Sequence, residues 1–194
     1  MTKVAIVYHS GYGHTKIIAE AVRDGALKVE GVEVDLVAVE EATGDLDRFD
    51  EADAIIFGSP TYMGSASGPM ATFMDATSKP WFQQKWKDKI AGGFTNSGSM
   101  SGDKLNTLHQ FSTLAAQHGM IWVSLGMQNE TAGEGMANGA PEGKNRLGAY
   151  IGPMAQSDNA EAGPDNPPSG DQETARLYGE RVAKAAKRWG KGTL

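Results

Sequence analysis

Short apolar runs alternate along this chain with segments of helical periodicity, and this alternation is the feature that most constrains the fold. The runs cover residues 3–8, 32–39, 53–60, 89–98 and 120–127. Short β-branched runs that alternate with helices predict parallel strands joined by helical crossovers. We therefore expect an α/β fold: a doubly wound, five-stranded parallel sheet of order 2-1-3-4-5 with helices on both faces, as one domain over residues 1–194.

Three polar, glycine-bearing loops follow the first, third and fourth runs, at residues 10–15, 59–68 and 96–102. In a sheet of this order the switch point lies between strands 1 and 3. Ligands bind there, beyond the carboxyl ends of the strands. The three loops are therefore expected to meet around one crevice, and their convergence predicts a ligand site more strongly than any single motif does.

The first of these loops, "SGYGHT", fits neither common nucleotide motif. Lys16 stands where the nucleoside-triphosphate pattern requires its second glycine, and no Lys-Ser or Lys-Thr pair follows. The same lysine replaces the third glycine of the dinucleotide pattern, which must be small for close packing of helix on strand. Asp35 does lie where a ribose-binding carboxylate would stand, so the dinucleotide interpretation stays open as an alternative.

Hydroxyl groups and backbone amides remain as phosphate ligands of the first loop. The hydroxyls of Ser10, Tyr12 and Thr15 precede a predicted helix, whose N-terminus attracts negative charge. The backbone N–H groups come from Gly11, Tyr12, Gly13, His14 and Thr15. Such a nest can hold a monophosphate dianion without a salt bridge. The alternative is an ordinary strand-to-helix turn.

The second and third loops suit a flat heterocycle. Backbone amides near Thr61, Tyr62 and Met63 would reach ring carbonyl and nitrogen atoms, and Tyr62 would stack on the ring; Pro60 stiffens this loop and Gly64 clears it. In the third loop, small residues let the backbone approach a ligand closely. Its members are Asn96, Ser97, Gly98, Ser99, Met100 and Ser101. Plain packing and a capped turn are the corresponding structural alternatives.

The composition excludes several classes of function. A formal net charge of −6 argues against nucleic acid as a partner, and the lack of cysteine excludes disulfides, thiolate zinc sites, iron–sulfur clusters and cysteine nucleophiles. No metal-ligand cluster stands out. No run approaches the ~18 apolar residues of a membrane span, and the N-terminal run is too short for a signal peptide. We therefore expect a cytoplasmic protein whose redox chemistry, if any, needs an organic cofactor.

Residues 128–168 are polar and rich in glycine and proline. A segment of this length without periodicity predicts a long loop, which is typically functional or disordered in a compact domain. The apolar residues 149–152 within it predict a short added strand.

The motifs resemble the flavodoxin-like superfamily and, within it, the WrbA-like NAD(P)H:quinone oxidoreductases. "VYHSGYGHT" resembles the phosphate loop of that family, and "GSPTYMG" followed by "SGPMATFMDAT" resembles its second loop and the next helix. "TNSGS" resembles the third loop, and "HGM" at residues 118–120 resembles the family's motif before the fifth strand. The resemblance covers nearly the whole chain.

The resemblance implies FMN as the cofactor, NAD(P)H as the electron donor and a small-molecule quinone as the acceptor, in a ping-pong transfer of two electrons. It assigns the residues of the three loops named above to FMN, together with His118. It further implies catalytic roles for His118 and Tyr12, contact of Tyr12 with the nicotinamide nucleotide, and a quinone pocket lined by Trp81. A homodimer or homotetramer is expected.

Other interpretations remain open at this point. His118 beside Gly119 suits the end of a helix, and Trp81 with Trp86 suits an aromatic cover of the core. The chain departs from the family at Tyr62 and Met63, where the family has Arg and an aromatic residue, and it lacks the family's long insertion between residues 38 and 52. A one-electron carrier of the flavodoxin type and a flavin-binding regulatory module are the alternative functions.

Overall fold

The computed structural model of the protein describes residues 1–130 and 140–191. The main strands are parallel and lie in the order β2-β1-β3-β5-β6, which is the predicted 2-1-3-4-5 when the five predicted runs are numbered in turn. The elements in chain order are β1 (Thr2–Tyr8), α1 (His14–Ala26), β2 (Val32–Ala38), α2 (Val39–Ala42), a 3-10 helix (Leu46–Phe49), β3 (Ala54–Tyr62), β4 (Ser65–Ala66), α3 (Gly68–Ala76), α4 (Ser78–Phe82), β5 (Ile90–Ser97), α5 (Lys104–Gln117), β6 (Ile121–Trp122), β7 (Met154–Gln156) and α6 (Ser169–Lys191).

Both faces of the sheet are covered by helices, and the alternation of side chains along β1 shows why. Val4 and Ile6 pack into one apolar cluster with residues of α1 and α6, whereas Ala5 and Val7 pack into a second cluster with residues of α3 and α5. A strand that is apolar on both faces must be buried on both, as in a doubly wound sheet. The predicted fold class is confirmed.

The fifth strand is split into two pieces, which the sequence did not predict. Of the predicted run 120–127, only Ile121–Trp122 pairs with the beginning of β5. The chain then leaves the sheet and returns as β7, whose residues 154–156 pair with Thr95–Ser97 at the other end of β5. The strand expected at 149–152 therefore lies at 154–156 instead. Residues 131–139 of the expected loop lie outside the described residues.

Tyr178 of α6 lies at the gap between the two pieces. The amide of Gly93 donates a 3.2 Å hydrogen bond to the Tyr178 hydroxyl, which in turn donates to the carbonyl of Val123 at 2.7 Å. The Tyr178 hydroxyl thus bridges the backbone of β5 at Gly93 and the backbone of the next segment at Val123, as a hydrogen bond between two strands would. Burial of this side chain raises the pKa of Tyr178 far above its ordinary value, so the phenol stays protonated.

Helices α1 and α6 cross at close range on one face of the sheet. A Cβ atom on Gly179 would lie 1.9 Å from the carbonyl oxygen of Val22, and one on Gly25 would lie 1.7 Å from the carbonyl oxygen of Arg176. These contacts are with backbone, which cannot turn aside as a side chain can. Glycine at both positions is therefore a condition for the crossing.

Helix α6 spans 23 residues, yet it carries charged side chains along its length. Within the described ranges, no helix combines the length and the apolar composition that crossing a bilayer requires.

The close crossing of α1 and α6 predicts that two Gly→Ala substitutions in α6 change the free energy of unfolding differently. Gly179→Ala should lower the free energy of unfolding by about 2 kcal/mol or more, because the backbones of α1 and α6 must separate. Gly190→Ala is the control, since a Cβ there meets no atom of the described residues within 4 Å; it should be neutral or stabilise by up to ~1 kcal/mol through helix propensity. Urea unfolding followed by circular dichroism measures both. Equal stability of the two variants would contradict the close crossing.

Because the Tyr178 hydroxyl bridges the split strand, we expect its removal to lower the free energy of unfolding. Tyr178→Phe should destabilise the protein by about 1–3 kcal/mol, because it leaves the Gly93 amide and the Val123 carbonyl buried without their partner. Tyr150→Phe, which removes the hydroxyl of a side chain that is 62% exposed, is the matched control. Thermal unfolding of the two variants compares them directly. A Tyr178→Phe protein as stable as the control would mean that the hydroxyl does not hold the gap.

Candidate functional site

A cleft of about 380 Å³ opens at the carboxyl edge of the sheet. The three predicted loops all contribute to it, from the ends of β1, β3 and β5. The predicted residues that line it are Ser10, Tyr12, His14, Thr15, Pro60, Thr61, Tyr62, Asn96, Ser97 and Gly98. The structure therefore brings together the residues that were expected to converge at the switch point.

The first loop forms a cradle of hydroxyls and amides. The Ser10 Oγ accepts hydrogen bonds from the amides of Gly13 and Lys16, both at 3.1 Å. Gly13 has a φ of +91° and is the N-cap of α1, and as glycine it supplies no capping side chain. Ser10 satisfies the Lys16 amide of the first turn, whereas the amides of His14 and Thr15 have no intrahelical acceptor and would face an anion at this end of the helix. The Lys16 side chain is exposed outside the cleft, and its Nζ lies 4.0 Å from Oε1 of Glu20.

The second loop is a tight hairpin at the end of β3. Tyr62 pairs with Ser65 of β4, and Met63 and Gly64 form the turn with φ values of +50° and +75°. Two consecutive residues with positive φ are typical of hairpin turns. The side chain of Met63 is fully exposed at the tip. Met63 and Gly64 thus do not line the cleft, in contrast to the prediction.

Two tyrosines form a wall at the mouth of the cleft. The rings of Tyr12 and Tyr62 lie edge to face, with centroids 6.3 Å apart and planes inclined by 73°. Tyr12 is 78% exposed and Tyr62 39%. Burial of its lower part raises the pKa of Tyr62. An aromatic wall with free edges is suited to stacking on a flat ligand.

Behind the second loop, Thr61 is held by two buried hydroxyls. Its Oγ1 lies 2.7 Å from the Oγ1 of Thr95 and 2.8 Å from the Oγ1 of Thr107. Thr95 and Thr107 are fully buried and Thr61 is 6% exposed. This chain of hydrogen bonds fixes the wall of the cleft formed by β3 against β5 and α5.

The third loop contributes only its first half to the cleft. Asn96 is 4% exposed, and its Nδ2 donates to Ser157 Oγ at 2.8 Å. Its Oδ1 is buried and has no hydrogen-bond partner among residues 1–130 and 140–191. A buried acceptor of this kind is costly unless a ligand donates to it. Beyond Gly98, the side chains of Met100 and Ser101 border a separate surface groove, and Ser99 lines neither, so these three predicted residues lie outside the cleft.

A fourth wall was missed by sequence reasoning. Ser157, Asp158, Asn159 and Ala160 follow β7 and line the cleft opposite the first loop. The Ser157 amide donates to the Ser97 carbonyl at 3.1 Å, and the Ala160 carbonyl lies 3.0 Å from Nε2 of His14. The available signal was the short apolar stretch before these polar residues, but it is separated from the first half of its strand by residues 123–153.

His118 does not reach the cleft within its own subunit, so its predicted catalytic and flavin-binding roles stay predictions. It is 5% exposed at the end of α5, where its ring stacks on Trp86 with centroids 4.5 Å apart. Its Nε2 lies 2.9 Å from the hydroxyl of Thr77, which itself donates to the Met74 carbonyl. Burial lowers the pKa of His118 to about 4, so the ring is neutral at ordinary pH. His118 belongs to the core, because α5 runs from the carboxyl edge of the sheet back to its amino edge.

Trp81 also lies away from the cleft of its own subunit. It is 42% exposed on α4, which follows α3 at the amino edge of the sheet. Its predicted role in a quinone pocket stays a prediction, which would require a second subunit to bring it to the cleft.

The chemistry of the cleft suits an anionic group at one end and a flat polar ring at the other. Among the residues that the structure describes, no lysine or arginine side chain lines the cleft. Within the described part of the chain, no cluster of His, Cys, Asp or Glu is arranged to hold a metal ion. Amides and hydroxyls at the first loop, and the orphaned Asn96 Oδ1 with Thr61 and Ser97 at the other walls, are the groups that FMN would require.

Comparisons with known proteins give the family. The family model described as NADPH-dependent FMN reductase matches residues 38–129. A protein named flavodoxin FldP from Pseudomonas aeruginosa is 47% identical over 186 residues, with 95% of this chain and 96% of the relative covered. An NAD(P)H dehydrogenase (quinone) from Geotalea daltonii is 31% identical over 208 residues, with 95% and 96% covered.

A solved structure is similar to this chain in both sequence and fold. The flavodoxin, WrbA-like protein from Agrobacterium tumefaciens is 45% identical and superposes with a TM-score of 0.73 over 97% of this chain and 99% of that one. Similarity in sequence and in fold thus extends over nearly the whole chain. The chain belongs to the flavodoxin-like family of FMN-dependent oxidoreductases, as a protein of the WrbA type.

Proposed function

We propose that this protein binds FMN in the cleft and transfers two electrons from NAD(P)H to a quinone by a ping-pong mechanism. The observation that carries the proposal is the cleft itself. It joins an amide and hydroxyl cradle at the start of α1 to a polar pocket between β3 and β5, with a tyrosine wall at its mouth. When bound, FMN would supply the hydride-accepting and electron-donating chemistry that no side chain here offers.

The first loop would hold the phosphate. Ser10 and Thr15 would contribute hydroxyls, and the backbone amides of residues 11–15 would contribute N–H groups, aided by the positive end of α1. Because these ligands are neutral, the loop can accept a phosphate dianion without a buried ion pair.

The second, third and fourth walls would orient the ring. Asn96 Oδ1 would accept a hydrogen bond from a ring or side-chain donor, which supplies the partner that it lacks. Thr61, fixed by Thr95 and Thr107, would contact one edge, and the backbone at Ser97 and Gly98 would approach closely because Gly98 has no side chain.

Tyr12 is the residue best placed to meet both substrates in turn. Its side chain is exposed at the mouth, so the nicotinamide nucleotide and the quinone would contact it one after the other on the same open face. Its hydroxyl would donate a hydrogen bond to a quinone oxygen, whereas His118 of the same subunit is buried away from this mouth. A second subunit would contribute Trp81 to this mouth, in a dimer or larger homo-oligomer.

A one-electron carrier is the second candidate, and a specific observation favours it. The relative that is 47% identical over 95% of the chain is named a flavodoxin. A carrier would hold FMN in the same cleft but would need a separate reductase to receive electrons from NAD(P)H.

The proposed phosphate site is tested by removing its two hydroxyls. The double variant Ser10→Ala, Thr15→Val should weaken FMN binding by about 100-fold, since each lost hydrogen bond to a charged group contributes about 1.5–3 kcal/mol. Titration of the apoprotein with FMN, followed by flavin fluorescence, gives the dissociation constant. Thr72→Val on the exposed surface of α3 is the control. Unchanged affinity in a folded double variant would show that the loop is assigned wrongly.

Cofactor, donor and acceptor are tested together by a visible-absorption titration. We expect the FMN-loaded protein to be bleached by stoichiometric NADH or NADPH and to regain its colour on addition of benzoquinone. Steady-state rates with both substrates varied should give parallel double-reciprocal lines, because a ping-pong enzyme releases its first product before the second substrate binds. Bleaching only with an added reductase would support the carrier instead. Failure to take up FMN at all would leave a regulatory module and reject both redox functions.

A further inference from the structure

Lys104 is a fully buried lysine directly behind the third loop. It is the first residue of α5, with no exposed surface. Its Nζ donates to Ser97 Oγ at 3.0 Å and to the carbonyl of Ser99. Ser97 lines the cleft, so one side chain separates the ammonium group from the ligand pocket. Lysine is almost never completely buried unless it is paired.

Lys104 has no carboxylate partner among residues 1–130 and 140–191. The acid that acts on it electrostatically is Asp171, whose two oxygens accept from Arg146 Nε at 2.8 Å and Nη2 at 2.9 Å, and from the Gln156 amide at 2.9 Å. Burial lowers the pKa of Lys104 to about 8; the field of Asp171 raises this pKa and that of Arg146 lowers it. Asp171 is thus engaged by Arg146 and the Gln156 amide and makes no direct contact with the Lys104 ammonium.

The helix on which Lys104 lies adds to this charge. Cations are normally found near the C-terminus of a helix, because the N-terminus already carries a partial positive charge. Lys104 instead occupies the first position of α5, so the ammonium and the positive end of the helix both lie behind residues 97–99. This arrangement costs stability in the free protein, and negative charge in the cleft would offset that cost.

A reduced flavin ring supplies such a charge. A hydride brings two electrons and one proton, so a neutral ring that accepts it from NAD(P)H gains one negative charge while the nicotinamide becomes a cation. We propose that Lys104 is a positioning residue that acts through the third loop to stabilise the two-electron-reduced ring relative to the oxidised ring. This inference rests on the proposed binding of FMN in the cleft.

The test removes the charge but keeps a hydrogen-bond donor. In the FMN-loaded Lys104→Gln protein, the ratio of affinities for reduced and oxidised FMN should fall about tenfold, which corresponds to a two-electron midpoint potential about 30 mV more negative. The potential is measured by equilibration with a reference dye, and the affinity for oxidised FMN by fluorescence titration. Lys184→Gln, an exposed residue of α6, is the matched control and should change neither.

Thermal unfolding of the apoproteins separates this role from a structural one. Because burial disfavours the charged lysine, folded Lys104→Gln apoprotein should be about as stable as the wild type, although its potential differs. A potential equal to that of wild type and of Lys184→Gln would overturn the inference while leaving FMN binding intact. Absence of FMN binding by the wild-type protein would instead overturn the proposed function.

A measurement on the wild-type protein tests the inference without any variant. If reduction raises the pKa of Lys104, then above pH about 8 reduction draws a second proton to this group. One proton per two electrons changes the potential by about 30 mV per pH unit, and two protons change it by about twice that. The slope should therefore steepen above pH about 8, with Asp171 and Arg146 as the other charged groups that act on the site. A constant slope across this range would count against the proposal.

Discussion

The site depends on how β5 is paired along its free edge. At its beginning β5 pairs with Ile121 and Trp122, and at its end with Met154–Gln156, while the Tyr178 hydroxyl fills the gap between them. The second pairing holds Thr95–Ser97 on one side, and β3 pairs with Thr95 and Asn96 on the other, so these two residues are fixed at both edges. It also delivers Ser157 and its neighbours to the edge where the first three loops end. Without this second half-strand the cleft would have three walls and an open side.

The sequence predicts the sheet well and its interruption poorly, for a physical reason. The runs that became β1, β3 and β5 contain only small or apolar residues over 4–7, 54–58 and 90–94, which is what burial on both faces demands. The run 120–127 has the same appearance, and the Val123 amide still donates to the Ala91 carbonyl at 2.8 Å. Beyond Val123 the chain leaves β5, although its apolar residues stay packed in the cluster that contains residues of α6. Leu125, for example, donates its amide to the Tyr150 carbonyl at 3.0 Å and remains buried. An apolar run indicates that its residues are buried. It does not indicate which backbone groups they will hydrogen-bond.

The residues of the candidate site were likewise predictable to different degrees. Ser10, Thr15, Thr61 and Asn96 were predictable because parallel strands end at one edge, so chain order alone brings their loops together. His118 was assigned by its place in a motif, but a motif does not state where a helix ends in space. Since α5 begins behind the third loop and returns along the sheet, its C-terminus lies at the far edge, where Trp86 and Thr77 enclose the imidazole.

Different groups around the cleft would bind the cofactor and adjust its reduction potential. In the part of the chain that the structure describes, the lining of the cleft has no lysine or arginine side chain, and the ligands of the first loop are hydroxyls and amides beside the partial positive charge of the α1 N-terminus. Neutral ligands of a phosphate would hold a cofactor equally in every redox state, because the phosphate does not change charge; this is uniform binding, which has no effect on the driving force of electron transfer. A charge behind the ring acts differently, since it distinguishes a neutral ring from an anionic one. On the proposed function, Lys104 therefore favours complete reduction over retention of the oxidised state. Such a bias is useful to an enzyme that accepts a hydride and less useful to a protein that passes single electrons between partners.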